Sequence, residues 1–342
     1  MFPNPMQNKI LAQIDTGNEV NDGVYYLDTA AELSKLQRLN HHQVDAKGKA
    51  LVYDILITAT PELSSKMIQS GGAGMESLSL QQDRLDIQTE TVPLTWQTRN
   101  AVKMAHKSRE DLRKASGVSK ASIGKYAKTI RVNMDSVMRG IPYVPTLSTG
   151  ASAERIYALS DVITPTLYHG GVWDYTQLTQ VEYNAITGIP DADAFDLVMC
   201  GQHGPAAAPG PYDYIGVLQG YNQRRQTVFH SATATAGGDT QFVVDDSPFF
   251  RIVDKDVAED EYTKITLDEQ DNPPYERTTA GTDDSMITSP VDVARFSNQN
   301  GLTSISWRVQ APLGLVRFVI DAMLLDTIVD FEFEVMATYP ME

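Results

Sequence analysis

The sequence predicts an α+β fold, and three stretches carry that prediction. Asp330-Phe-Glu-Phe-Glu-Val335 alternates apolar and acidic residues strictly, the period of a half-buried strand. Ala50-Leu-Val-Tyr-Asp-Ile-Leu-Ile-Thr-Ala59 is dense in β-branched and aromatic strand formers. Between Pro93 and Pro142 no proline interrupts the chain, and Ile123, Tyr126, Ala127, Ile130, Met134, Val137, Met138 and Ile141 recur at helical spacing.

In chain order, residues 1–30 read as an arm punctuated by Pro3, Pro5, Gly17, Asn18, Asn21, Asp22 and Gly23, with a turn of helix at most over Lys9–Ile14. Ala30, Leu33, Leu36 and Leu39 predict a short helix over Thr29–Gln43, with Thr29 as N-cap and Glu32 closing a capping box. Ser64 to Ser79, with Ser70-Gly-Gly-Ala-Gly74 at its centre, reads as a glycine-rich tip. It would join the Ala50–Ala59 strand to a second one along Arg84–Thr95 in a long hairpin. Such a ribbon is marginal in water by itself and needs a neighbour.

The helical spacing places an amphipathic helix over Lys120–Arg139, about 30 Å long at 1.5 Å per residue. Ser119 is its N-cap and Gly140-Ile141-Pro142 its stop. A preceding helix would start near Trp96, with a break at Gly117. Ala151–Ser160 and Thr176–Ile186 carry weaker helical spacing, and Ala194–Cys200 reads as a buried strand. Gly201–Pro211 is a loop, and from Tyr212 to Glu276 short strands are expected at Thr227–Phe229, Gln241–Val244, Phe249–Val253 and Tyr262–Leu267, with a hairpin turn at Gly237-Gly-Asp239. Thr303–Gln310 alternates like a strand and Leu313–Ile320 is an apolar run.

Charge is segregated along the chain. Residues 97–140 hold eleven Lys or Arg against three acids, a formal +8 inside a chain of −16, so the remainder carries −24. The candidate contact residues are Arg99, Lys103, Lys107, Arg109, Arg113, Lys114, Lys120, Lys125, Lys128 and Arg131. They suit phosphates or the acidic surfaces of neighbouring subunits; the plain alternative is a core helix with a solvated charged face. Only Trp96 and Tyr126 supply aromatic interleaving, which favours pairing between elements over single-strand stacking.

No catalytic constellation emerges. Gly150-Ala-Ser152-Ala-Glu154 lacks the second glycine of a nucleophile elbow, and no Gly-Lys-Ser/Thr follows the glycines at 71–74. His41-His42 lacks a third ligand at metal spacing, and His106 is read as solvated. The acidic run Asp254–Asp271 lacks the spacing of a calcium loop. Asp245-Asp246 and Asp283-Asp284 are the one carboxylate pairing that glycoside cleavage could use. Cys200 is the single cysteine, so no intrachain disulfide forms. Met1-Phe-Pro-Asn-Pro5 has no signal-peptide character, and Arg317, Asp321 and Asp326 break the longest apolar run. The chain is expected to be no enzyme, with no cofactor, no metal and no membrane partner.

Met75-Glu-Ser-Leu-Ser-Leu80, Arg84-Leu-Asp-Ile87, Gln97-Thr-Arg-Asn-Ala-Val102 and Asn133-Met-Asp135, in this order of parts, resemble the tailed-phage major capsid proteins of the Hong Kong phage fold. The match covers Met75–Gly140, about a fifth of the chain. The resemblance implies an N-terminal arm over 1–45, an extended loop over 46–96, and a peripheral domain with its spine helix over 97–158. An axial domain with an acidic loop or insertion would take 159–310, and C-terminal strands returning to the peripheral domain 311–342. It implies a major capsid subunit that self-assembles into an icosahedral shell in the virion, after assembly in the host cytoplasm. Its partners would be copies of itself in hexamers and pentamers, with room for a decoration or scaffolding protein. The packaged genome would lie nearby without sequence-specific binding. The loop-lysine cross-link of some members is not carried over to Lys66. The alternatives are another viral structural protein, a double jelly-roll coat or a tail component, and a carboxylate-dependent glycan hydrolase.

Overall fold

The computed structural model describes residues 8–15, 23–61, 67–70, 77–80, 84–124, 127–147, 153–183, 190–205, 212–226, 233–234, 240–241, 286–297, 304–322 and 328–342. Strands β1 (Lys9–Asp15) and β2 (Gly23–Asp28) lead into helix α1 (Thr29–Gln37), then β3 (Leu51–Pro61), β4 (Met67–Ser70), β5 (Ser77–Leu80) and β6 (Arg84–Thr91). Helices α2 (Trp96–Ala115) and α3 (Ser136–Gly140) follow, then β7 (Ala153–Arg155), β8 (Leu159–Asp161) and β9 (Thr166–Leu167). Next come β10 (Gln177–Tyr183), β11 (Pro190–Val198), β12 (Gly204–Pro205), β13 (Tyr212–Gly216) and α4 (Val217–Gln226). The last strands are β14 (Thr233–Ala234), β15 (Thr240–Gln241), β16 (Ser289–Ser297), β17 (Ile305–Pro312), β18 (Leu315–Ala322) and β19 (Ile328–Pro340). The protein is α+β, with mostly strands and few helices.

Two sheets form the body. One has the order β1-β19-β3-β17; the other has β16-β6-β18-β2, with β7 added in parallel at its edge. All pairings among the eight long strands are antiparallel. Counted along the chain, these eight strands lie in the orders 1-8-3-6 and 5-4-7-2. That is the strand order of an eight-stranded jelly roll. Residues 92–288 are inserted between its fourth and fifth strands.

Side-chain alternation explains the sandwich. On β19, Phe331, Phe333 and Val335 point inward, while Glu332 and Glu334 meet Lys9 of β1 on the outside. Ile10, Ala12 and Ile14 of β1, Ile55, Ile57 and Ala59 of β3, and Leu85 and Ile87 of β6 fill the same interior. The Phe318 ring of the second sheet lies 5.3 Å from that of Phe331 in the first. Trp307 on β17 donates Nε1–H to Thr89 Oγ1 on β6 at 3.1 Å, a polar tie across the core. The chain crosses from β17 in one sheet to β18 in the other through a tight turn at Leu313 and Gly314, both with positive φ (61° and 70°).

Several expectations are met and several are corrected. The Ala50–Ala59 and Arg84–Thr95 strands exist, but they run in different sheets instead of pairing. The hairpin survives at its outer end, where β4 and β5 pair only with each other. The arm is not helical at Lys9–Ile14: it is β1, zipped onto β19 of its own chain. Helix α1 is shorter than Thr29–Gln43, and its cap is Asp28, whose carboxylate accepts from Ala31 N at 3.0 Å. Glu32 is buried elsewhere, bonded to Tyr143 Oη and Ala158 N. Ala151–Ser160 and Thr176–Ile186 hold strands β7, β8 and β10 where helix was expected.

The expected helix over Lys120–Arg139 is absent. Residues 129–134 are not helical, with one parallel bridge from Asn133 to Val198, and Ile130, Val132 and Met134 are fully buried. Their backbone partners are distant in sequence. Asn133 N donates to Leu197 O, Met199 N to Asn133 O, Cys200 N to Met134 O, and Gln43 binds both polar groups of Val132. Long-range hydrogen bonds thus satisfy a segment whose spacing fitted a helix equally well. Only α3 forms there, capped by Asp135. The short strands at Phe249–Val253 and Tyr262–Leu267, the acidic run 254–271, and the pairs Asp245-Asp246 and Asp283-Asp284 lie outside the described residues. The sandwich draws on all five segments named above, 1–45 through 311–342.

Candidate functional site: a basic prong

The basic residues converge on α2 and the loop after it. Thr95 caps the helix by accepting from Thr98 N, and Thr98 Oγ1 donates back to Pro93 O at 2.6 Å. Its first half is anchored: Gln97, Thr98, Ala101, Val102, Ala105 and His106 are buried on one face. That face joins a second core with Ile130, Val132, Met134, Leu197, Met199 and Leu218. Tyr26 and Leu315, on the outward side of the second sheet, complete that core.

From Lys107 to Gly124 no residue is buried. The second half of α2 therefore leaves the body as a prong. Its end is a Schellman motif: Val118 N donates to Arg113 O and Gly117 N to Lys114 O. Gly117 takes φ +69°, which a side chain would strain. The break anticipated at Gly117 is real, although no second helix follows it.

The ten candidate residues do not act as one set. Arg109 and Arg113 are structural. Arg109 donates to the carbonyls of Ala127 and Lys128, and Arg113 to that of Val118 and to Glu110 at 3.0 Å, so both guanidiniums strap the loop back onto the helix. The Arg113 hydrogen bond holds the Glu110 carboxyl below its ordinary range. Arg131 is not on the prong. Its guanidinium covers the Trp173 ring at 4.1 Å and donates to Asp174 O. Arg99 lies half-buried at the anchored base.

Lys103, Lys107, Lys114, Lys120 and Lys128 form the exposed set. Among the described residues, Lys114 and Lys120 meet the helix's own Asp111 (3.4 Å) and Glu110 (3.7 Å). The Lys125 side chain lies outside the described residues. The pairing of this stretch with acids of other elements, favoured from sequence, is found at Arg139, whose Nε meets Asp196 of β11 at 2.7 Å; among the described residues no such ion pair is found for the five exposed lysines. His106, expected to be solvated, is buried with its ring against Gly48, and desolvation pushes its pKa down. Beside α2, a groove of about 880 Å³ is lined by Met104 and Leu112 of the helix and by Phe195, Leu197 and Ile215, with Lys103 and Lys107 also at its edge.

Sequence reasoning missed a buried polar network that positions these parts. Asp28 accepts from Ala31 N, Gln43 Nε2 and Tyr175 Oη, and burial pushes its carboxyl up to about 6. Arg155 donates to Tyr175 Oη, Asn133 Oδ1, Met138 O and Ile141 O at 2.6–3.0 Å. Its members come from five separate parts of the chain, so no local spacing signals it.

Among the described residues no group of three or more His, Cys, Asp or Glu side chains could hold a metal, and no helix is long and apolar enough to cross a membrane. No protein-family model, no curated protein and no solved structure matches the chain. What defines it is therefore its own geometry: an α+β protein with a jelly-roll sandwich, a two-stranded ribbon paired with neither sheet, and a basic prong.

Proposed function

We propose that this chain is a viral structural protein, a major capsid subunit that self-assembles into an icosahedral shell around a genome. The observation that carries the reading is the strand order, 1-8-3-6 against 5-4-7-2. Jelly rolls of this order serve viral coats, lectins and cupins. Here the space between the sheets is filled by Trp307, Phe318, Phe331 and Phe333, so the sandwich is a scaffold rather than a ligand-holding cavity. The β4–β5 ribbon gives further support. It belongs to neither sheet, and a lone two-stranded ribbon gains stability from a neighbouring surface. Copies of the same chain, in hexamers and pentamers, would supply that surface.

Between coat architectures, the strand order favours a jelly-roll coat over the Hong Kong phage arrangement. The described residues hold one such sandwich, not the two of a double jelly roll. Helix α2 has the length of a spine but buries only its first half, and residues 120–135 supply none. Electron microscopy of the purified full chain tests the reading. Closed particles of uniform diameter are expected. A strictly monomeric species at high concentration overturns it. Turnover of a glycan that Asp245→Ala or Asp284→Ala abolishes would favour the hydrolase alternative.

A further inference from the structure

The prong's charge is the property of the molecule that the sandwich leaves unexplained. Trp96 to Lys128 holds nine Lys or Arg against two acids in a chain of net −16. A projection so unlike the rest of its surface sets the sign of what it meets. Two anionic partners compete: an acidic face of a second copy, or the phosphate backbone of a nucleic acid.

The side chains discriminate. Protein interfaces are enriched in Arg and aromatic residues and depleted in Lys. On the prong, both distal guanidiniums, Arg109 and Arg113, are turned inward onto backbone carbonyls of the prong's own loop. The solvent-facing charge is left to lysines: Lys103, Lys107, Lys114, Lys120 and Lys128. An ammonium is a compact point charge on a flexible stem, without the planar fork that carboxylate docking favours. Lys103 and Lys107 are four residues apart and share one side of the helix. Between Gln97 and Gly124 no Trp, Tyr or Phe occurs, so bases have no ring there on which to stack.

We infer that the exposed lysine face of the prong binds the phosphate backbone of nucleic acid without reading its sequence. The inference deepens the shell reading, on which it rests for the source of the nucleic acid, and it turns the prong toward the enclosed genome.

The test uses the full chain and a fluorescein-labelled oligodeoxythymidine, followed by anisotropy across a sodium chloride series. With about four to five lysines engaged at about −0.7 per contact, a log–log slope of about −3 is expected. Lys103→Glu/Lys107→Glu weakens binding at least about tenfold at low salt and flattens the slope by about 1.4. Arg38→Glu/Lys47→Glu, the same charge change at exposed positions off the prong, leaves the affinity within about twofold. No binding at low salt overturns the inference, as does equal weakening by both double variants. So does loss of particles by Lys103→Glu/Lys107→Glu with oligonucleotide binding intact, which assigns the lysines to contacts between copies. Particle formation by the wild type is scored separately. Shells without oligonucleotide binding sink the inference alone, and binding without shells sinks the shell reading alone.

Discussion

The sandwich and the prong are stabilised by opposite means. In the sandwich, Phe318, Phe331 and Phe333 from facing sheets lie within 6 Å of one another, and the ion pairs Arg308–Asp54 and Arg317–Glu90 sit on the outer faces of the sheets. In the prong no residue from Lys107 to Gly124 is buried, and the loop is held by guanidiniums on carbonyls and by the Gly117 cap. A region stabilised by apolar burial is rigid and tolerates little change of shape. One stabilised by a cap and a few straps leaves its cations free to meet solvent or a partner.

The hardest blow to this contrast is Phe333→Ala. Emptying the middle of the aromatic cluster should cost about 3–5 kcal/mol, read as a lower denaturation midpoint, with assembled particles lost. A cost under about 1 kcal/mol would mean the sandwich is not the stabilising unit.

Asp28 tests the join between the regions through pH. Burial raises its folded carboxyl pKa from 3.8 to about 6, so the folded state holds the proton more tightly than the unfolded chain does. Stability through this group is therefore lost as pH rises from about 4 to about 6. Asp28→Asn removes the dependence. The stability of the variant relative to the wild type should rise across that window by on the order of 2–3 kcal/mol. A flat difference between pH 4 and pH 6 contradicts the buried placement.

Gly117→Val strains the left-handed cap by about 1–2 kcal/mol. Because no residue from Lys107 to Gly124 is buried, limited proteolysis should speed up within residues 116–128 while the global transition barely moves. A large shift of the global transition would show that the prong is part of the core.

The smallest effect is expected at Lys103→Glu, within about 0.5 kcal/mol by thermal melting. A larger loss would place that lysine in a structural ion pair and weaken the case for a free cationic face.

How much of this was legible beforehand differs along the chain. β19, β3 and β17 were readable because one-sided burial writes itself as alternation: Phe331, Phe333 and Val335 against Asp330, Glu332 and Glu334. α2 was readable through its missing prolines, and its end through Gly117. The Lys120–Arg139 helix was misread because Ile130 and Met134 fit a period of 3.6, whereas Ile130, Val132 and Met134 also fit a period of 2. Only Leu197, Met199 and Gln43, brought alongside by the fold, choose between the two. The arm was misread for the same reason: Lys9–Asp15 has too few residues to declare a period, and its partner is β19, more than three hundred residues away.

By itself the sequence determined the class of fold, the terminal strands and the concentration of positive charge within one stretch, because periodicity and composition are local properties. The tertiary structure decided which strands share a sheet, where the helix lies, and which cations stay exposed. Those outcomes depend on backbone hydrogen bonds and burial between residues far apart in the chain, and no local pattern encodes a partner that distant.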